Sequence, residues 1–181
     1  ERLALDDVEM YDYTAPCSTG SEPTTISNTL TFTNTTCSSI QLNWNNGNGS
    51  NRIVVAATSA IIGTPNDQTN YAANSIYGTG STIALNEYTI YNGTGNSTTI
   101  TGLTGSTTYH FAIFEYNGTT PNCDENYFTS SSLIDNSTTT ECGEAEITGI
   151  LVDACGGNEG IDEFFTFENG ALSLSLSDLT V

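Results

Sequence analysis

Apolar and polar side chains alternate with a period of two along much of this chain, in short stretches bounded by Asn, Gly, Ser and Thr. That is the pattern of half-buried β-strands separated by turns. Leu30 and Phe32 alternate within residues 28–34, and Ile40, Leu42 and Trp44 within residues 38–45. After an Asn/Gly turn at 46–50, the run RIVVAAT at 52–58 is continuously apolar beyond its Arg, as suits a central strand. Residues 59–83, rich in Asn, Gly and Thr, make a long irregular connection. Strands at 86–91 and 97–103 are predicted to pair as a hairpin around Asn92-Gly93-Thr94-Gly95-Asn96. From Tyr109 the alternation is clearest, with Tyr109, Phe111 and Ile113 on one face and His110, Ala112 and Phe114 on the other. A Cys-containing loop at 117–126 then leads to a last strand at 127–135.

Leu103 and Tyr109 lie on either side of the small polar turn Thr104-Gly105-Ser106-Thr107-Thr108. A Tyr there, its ring packed inward and its hydroxyl bonded to backbone just upstream, forms the tyrosine corner of a β-sandwich. Composition supports an all-β reading. Ser, Thr and Asn number 18, 31 and 19 among 181 residues, and β-branched Thr with turn-forming Asn and Gly disfavours helix. No apolar run approaches the length of a membrane-spanning helix.

Charge divides the chain. The formal net charge is −19, from 21 acidic residues against only Arg2 and Arg52. Two arginines cannot build the basic surface that phosphate contacts require, which argues against a nucleic-acid partner. Six acids fall in residues 1–27, six in 28–138 and nine in 139–181, so a nearly neutral middle is flanked by acidic ends. Domain boundaries are expected on both sides. Residues 1–13 read as a single strand, residues 14–26 as a Pro/Ser/Thr/Gly linker, and residues 27–138 as a sandwich domain. Residues 139–181 read as an incomplete β unit, two apolar runs around a Gly-rich acidic loop followed by Leu172, Leu174 and Leu176 alternating with Ser. The chain opens in mid-strand, so residue 1 is taken as a cut within a longer protein.

Seven strands in about 110 residues, Trp44 late in the second, and Leu103 followed by Tyr109 across a corner resemble a fibronectin type III domain over residues 27–138. The resemblance implies an immunoglobulin-like sandwich in which Trp44, Leu103 and Tyr109 are core residues. The wording RIVVA, EYTIYNGTG and LTGSTTYHFAIFEYNG is similar to the variant found in large secreted bacterial proteins exported by the type IX system. ALDDVEM, within residues 1–13, resembles the last strand of a jelly-roll module, and residues 143–181 resemble the opening strands of a lamin-tail-like domain.

Candidate chemistry is sparse. His110 is the only His, and no Gly-x-Ser-x-Gly elbow accompanies it. Adjacent acids on a strand point to opposite faces, which makes Asp6-Asp7, Asp124-Glu125 and Asp162-Glu163 poor glycosidase pairs. Asp153, Glu159, Asp162 and Glu163 could converge on Ca²⁺, although their spacing fits no EF-hand. No catalytic, cofactor or metal residues are therefore assigned, with Ca²⁺ at the acidic ends kept as the one candidate ion. Six Asn-x-Ser/Thr triplets begin at Asn34, Asn48, Asn92, Asn96, Asn117 and Asn136, as chance alone produces in so Asn- and Thr-rich a chain. Phe114 and Tyr116, on the second face of the Tyr109 strand, are the candidate binding surface for a glycan or protein. The alternative is that these rings, with Tyr71, Tyr77, Tyr88 and Tyr91, pack the 59–83 insertion onto the sandwich.

Five Cys in a small polar β protein point to an oxidising compartment. The type III topology puts Cys17 near Cys123 at one pole and Cys37 near Cys142 at the other, leaving Cys155 over, with Cys142–Cys155 as the rival pairing. The expected function is a non-catalytic structural, spacer or adhesion module, secreted or at the cell surface. Its partners would be neighbouring β domains of the same polypeptide and an extracellular protein or glycan, without membrane insertion. The alternative is an accessory region of an extracellular hydrolase whose catalytic domain lies outside the chain.

Overall fold

The computed structural model describes residues 17–143, 146–151 and 164–168, with side chains described over 17–143. Eleven strands and no helix occupy the described residues: β1 (Asn28–Thr33), β2 (Ser39–Asn45), β3 (Asn51–Ala57), β4 (Thr82–Ala84), β5 (Glu87–Gly93), β6 (Ser97–Thr101), β7 (Thr108–Asn117), β8 (Asn126–Tyr127), β9 (Leu133–Thr138), β10 (Glu146–Leu151) and β11 (Phe164–Glu168).

Two sheets carry residues 28–138. One has the order β1-β2-β6, and the other runs β4-β5-β3-β7, with β8 and β9 both on the free edge of β7. All their strand pairs are antiparallel. With the short β4 and β8 set aside, β1, β2 and β6 face β5, β3, β7 and β9, the three-against-four order of a fibronectin type III sandwich. The fold is therefore all-β and immunoglobulin-like. β10 and β11 form a separate antiparallel pair, with Ile147 opposite Phe167 and Ile150 opposite Phe165.

Alternation places the core. Ile40, Leu42 and Trp44 from β2 meet Val54, Ala56, Tyr109, Phe111 and Ile113 from β3 and β7 between the sheets. The other face of the same strands is buried too, since Ile53, Val55, Ala112, Phe114 and Tyr116 form a second cluster with Tyr71 and Tyr127, against which Ile61 and Ile83 pack. The 59–83 insertion thus roofs the outer face of the larger sheet. This explains the unbroken RIVVAA run, because β3 has no solvent-facing side.

Two local expectations are corrected. The strands around 92–96 are not a hairpin: β5 pairs with β3 and β4, whereas β6 pairs with β2 in the opposite sheet. Ile90 and Ile100 both point into the space between the sheets. The five-residue turn spans the sandwich, whose sheets stand about 10 Å apart. The last strand is also divided. Tyr127 pairs with Tyr116, and pairing resumes only at Leu133 opposite Ile113. Thr129-Ser130-Ser131-Ser132 between them has no apolar side chain to give either face.

Candidate functional site

Tyr109 is buried, and its hydroxyl accepts the Thr104 amide at 3.0 Å, which closes the corner before β7. Leu103 and Trp44 are buried beside it in the inter-sheet core. Tyr77, from the insertion, meets Tyr109 in a T-shaped contact with ring centroids 5.1 Å apart.

The opposite end of β7 holds the densest polar arrangement. Arg52 and Glu115 are register partners on β3 and β7, and both point inward at the rim of the core. Arg52 Nε donates to Glu115 Oε1 at 3.2 Å, with both side chains removed from solvent. The guanidinium also donates to three turn carbonyls, Thr94 at 2.5 Å, Gly95 at 2.8 Å and Gly49 at 3.1 Å. Glu115 in turn accepts the Ser27 hydroxyl at 2.5 Å and the Gly47 amide at 2.9 Å. One ion pair therefore fixes the β2–β3 turn, the β5–β6 turn and the incoming chain. Gly47 is required there, since a Cβ would strike the Thr25 carbonyl and come within 2.9 Å of Glu115 Cγ.

The segment expected as a linker lies on this pole. Asn48 Oδ1 accepts the amides of Thr24 and Thr25 at 3.0 and 2.9 Å. Asn126 and Asn117 donate to the carbonyls of Gly20 and Ser21, each at 2.7 Å. Cys17 is disulfide-bonded to Cys123 here, with 5.1 Å between their Cα atoms. At the Tyr109 end, Cys37 is bonded to Cys142, with a Cα separation of 5.0 Å. Cys155, and with it the rival pairing, lies outside the described residues.

Without lysine, the acids of this domain organise backbone instead. Glu125 accepts the amides of Asn122 and Cys123 at 2.9 and 3.0 Å. Glu87 accepts those of Ile62 and Gly63 at 2.8 and 3.0 Å. Asp124 closes the preceding turn through the amides of Thr120 at 2.6 Å and Thr119 at 2.9 Å, and those bonds hold its carboxyl below the usual aspartate range. Asp124 and Glu125 thus both brace the 117–126 loop from within, and they do not face one another across a cleft. Among the described residues no three His, Cys, Asp or Glu side chains are placed to hold a metal ion. Asp6, Asp7 and the Ca²⁺ candidates Asp153, Glu159, Asp162 and Glu163 lie outside the described residues. His110 is half-buried in β7 with Ala57 and Asn136 as register partners.

The candidate binding surface is corrected, and its alternative, aromatic rings that pack the 59–83 insertion onto the sandwich, is what Phe114, Tyr116, Tyr71 and Tyr77 form. Phe114 is 3% and Tyr116 7% exposed, because the insertion and Tyr127 cover them. Tyr116 packs on Tyr127 at 4.7 Å, Tyr71 abuts Tyr127 edge-on at 5.9 Å, and the Tyr116 hydroxyl donates to Asn92 at 2.6 Å. These rings are the seam between insertion and sandwich, not a platform for sugars. Two open clefts of about 310 Å³ flank them. One lies among Asn51, Asn70, Tyr116, Pro121 and Glu125, the other among Ile61, Phe114, Ser130 and Ile134. Of the triplet asparagines, Asn34, Asn48, Asn92 and Asn117 use side-chain amide hydrogens in internal bonds.

No known protein family and no curated protein matches the chain. Among solved structures it is similar to a computationally redesigned β-sandwich protein, at 18% identity, 64% of this chain, 89% of that one and a TM-score of 0.41. A human fibronectin type III domain solved in solution aligns at 12% identity over 75% of this chain and 85% of its own, with a TM-score of 0.40. The fibronectin type III domain of human collagen XX aligns at 19% identity over 64% of this chain and 97% of its own, with a TM-score of 0.32. At such scores the assignment of fold stays with the strand order above.

Proposed function

We propose that this chain is a non-catalytic spacer of a secreted or cell-surface protein, holding the domains before and after it at a fixed separation. The observation that carries this reading is the pair of disulfides, which pins the incoming chain to one pole of the sandwich and the outgoing chain to the other. Disulfides persist in oxidising surroundings, which supports an extracellular setting. Sandwiches of this type commonly serve as structural modules. The resemblance of residues 1–13 and 143–181 to neighbouring β domains supports a place in a multidomain polypeptide, and the strand wording supports a type IX-exported bacterial one. Whether the parent protein is an adhesin or a hydrolase, the module's own task is the same.

The test is the distribution of distances between fluorophores placed at Ser18 and Gly143 by cysteine-free chemistry. A narrow distribution centred at roughly 30–40 Å is expected, about the length of a ten-residue strand with the dyes added. A broad distribution, in which the two ends wander independently, would contradict the reading.

A further inference from the structure

The two disulfides do more than pin the ends, because their positions in the chain interlock. Cys17 pairs with Cys123 and Cys37 with Cys142, so each bond encloses part of the loop closed by the other. In the bonded protein Cys17 and Cys123 therefore form one node, and Cys37 and Cys142 form another. Three stretches of chain join the nodes in parallel. They run 17 to 37, 123 to 142 and 37 to 123, which by difference of residue numbers are 20, 19 and 86 steps long.

We infer that the chain has a further, mechanical function: it is an extension limiter, which carries tension along its two short outer arms and keeps the long inner stretch slack. This deepens the spacer reading and rests on it for its biological setting. A chain spans at most about 3.3–3.6 Å per residue, so the short arms go taut when the nodes are roughly 70 Å apart. At that separation the 86-step stretch, which could reach on the order of 290 Å, is far from taut. It contains β2 through β7, which supply the greater part of the inter-sheet core.

The strands on the loaded arms fit the role. β1 lies on one arm, and the two-residue β8 and β9 on the other. β1 is the outermost strand of its sheet, and β9 pairs only with β7. Tension thus reaches one edge strand of each sheet first, and peeling either leaves the β2–β6 and β5–β3–β7 ladders intact. The nodes sit at opposite ends of β7. Thr139 near Cys142 bonds the Thr107 carbonyl beside the first residue of β7, and the loop carrying Cys123 follows its last. The resting separation is therefore about 30 Å from the length of that strand, and the limiter permits little more than a doubling.

Either disulfide alone sets nearly the same limit, since each leaves one short arm joined across the molecule. This redundancy distinguishes the arrangement from two independent staples. The test is single-molecule stretching of the full chain between handles at Glu1 and Val181, comparing untreated protein, protein in reductant, and three variants. The variants are Cys17→Ser with Cys123→Ser, Cys37→Ser with Cys142→Ser, and all four together. Residues outside 17–142 contribute the same length in every sample compared, so differences in contour length report the clamp. Untreated protein and both two-site variants are expected to agree within about 10 Å. Reduced protein and the four-site variant are expected to be longer by roughly 360 Å, because all 125 steps from 17 to 142 are then released.

A variant that fails to fold still reports its contour length. If untreated protein, or either two-site variant, reaches the length of the reduced protein, the limiter is overturned. That result together with a narrow resting distance would leave the spacer reading standing. A broad resting distance with the short contour limit would do the reverse.

Discussion

Arg52 and Glu115 show what a single pair of residues does in this fold. A buried ion pair is a poor source of net stability, yet removing one partner strands the other charge away from water at a cost of about 3–5 kcal/mol. Arg52→Met is therefore expected to lower the free energy of unfolding by that amount, measured by chemical denaturation. Adding Glu115→Leu should return part of the loss, and not all, because Ser27 and Gly47 would then lose their acceptor. Strict additivity of the two substitutions would contradict the pairing. Tyr109→Phe removes the acceptor for the Thr104 amide and should cost about 1 kcal/mol in the same assay; unchanged stability would mean the corner bond contributes nothing. The tyrosine corner was legible in the sequence, since Tyr109 follows Leu103 across a polar turn. The ion pair was legible only by extending the alternation one step further, for Glu115 continues the inward series of Tyr109, Phe111 and Ile113, and Arg52 continues that of Val54 and Ala56. Charged residues at strand ends are usually read as solvated, and here they close the core instead.

At the scale of elements, the two-residue period located β1, β2 and β7, the continuous apolar run located β3, and the turn signal at 92–96 marked off β5 and β6; each has an apolar face turned to the inter-sheet core. It failed where pairing is decided by distant parts of the chain. The Asn-Gly turn at 92–96 signals a reversal but does not say which sheet receives the next strand, and Arg52 binding the Thr94 and Gly95 carbonyls holds that crossing. Nor does local pattern reveal that the insertion covers Phe114 and Tyr116, since an outward aromatic reads the same whether water or a loop lies over it.

The seam makes a testable statement about pH. Burial raises the phenol pKa of Tyr77, Tyr116 and Tyr127 above the ordinary value, most strongly for Tyr127, where Tyr116 and Glu125 add to the effect. A folded-state pKa above the unfolded one means that this stabilisation is complete below about pH 10 and is lost as pH rises through the folded values. Tyrosinate absorbance in native protein should therefore lag that in denaturant as pH rises past 10, with unfolding accompanying the late titration. Superimposable curves would show that the insertion does not seal the seam.

At the scale of the whole molecule, the described sandwich of this strongly acidic chain, with Arg52 as its one arginine, is held together by two means. Buried Glu87 and Glu125 are satisfied by backbone amides and Glu115 by Arg52, Ser27 and Gly47, and two disulfides close the sandwich at either pole. Loops of 106 and 105 residues lie within the range where cross-links restrict the unfolded chain most, about 4–5 kcal/mol for one such loop on the chain-entropy account. The spacer and the limiter both depend on which cysteines are joined. Peptide mapping of unreduced protein by mass spectrometry tests this most directly. Two linked pairs are expected, the Cys17 peptide with that of Cys123 and the Cys37 peptide with that of Cys142. Recovery of Cys37 as a free thiol, or of Cys142 joined to Cys155, would contradict this pairing.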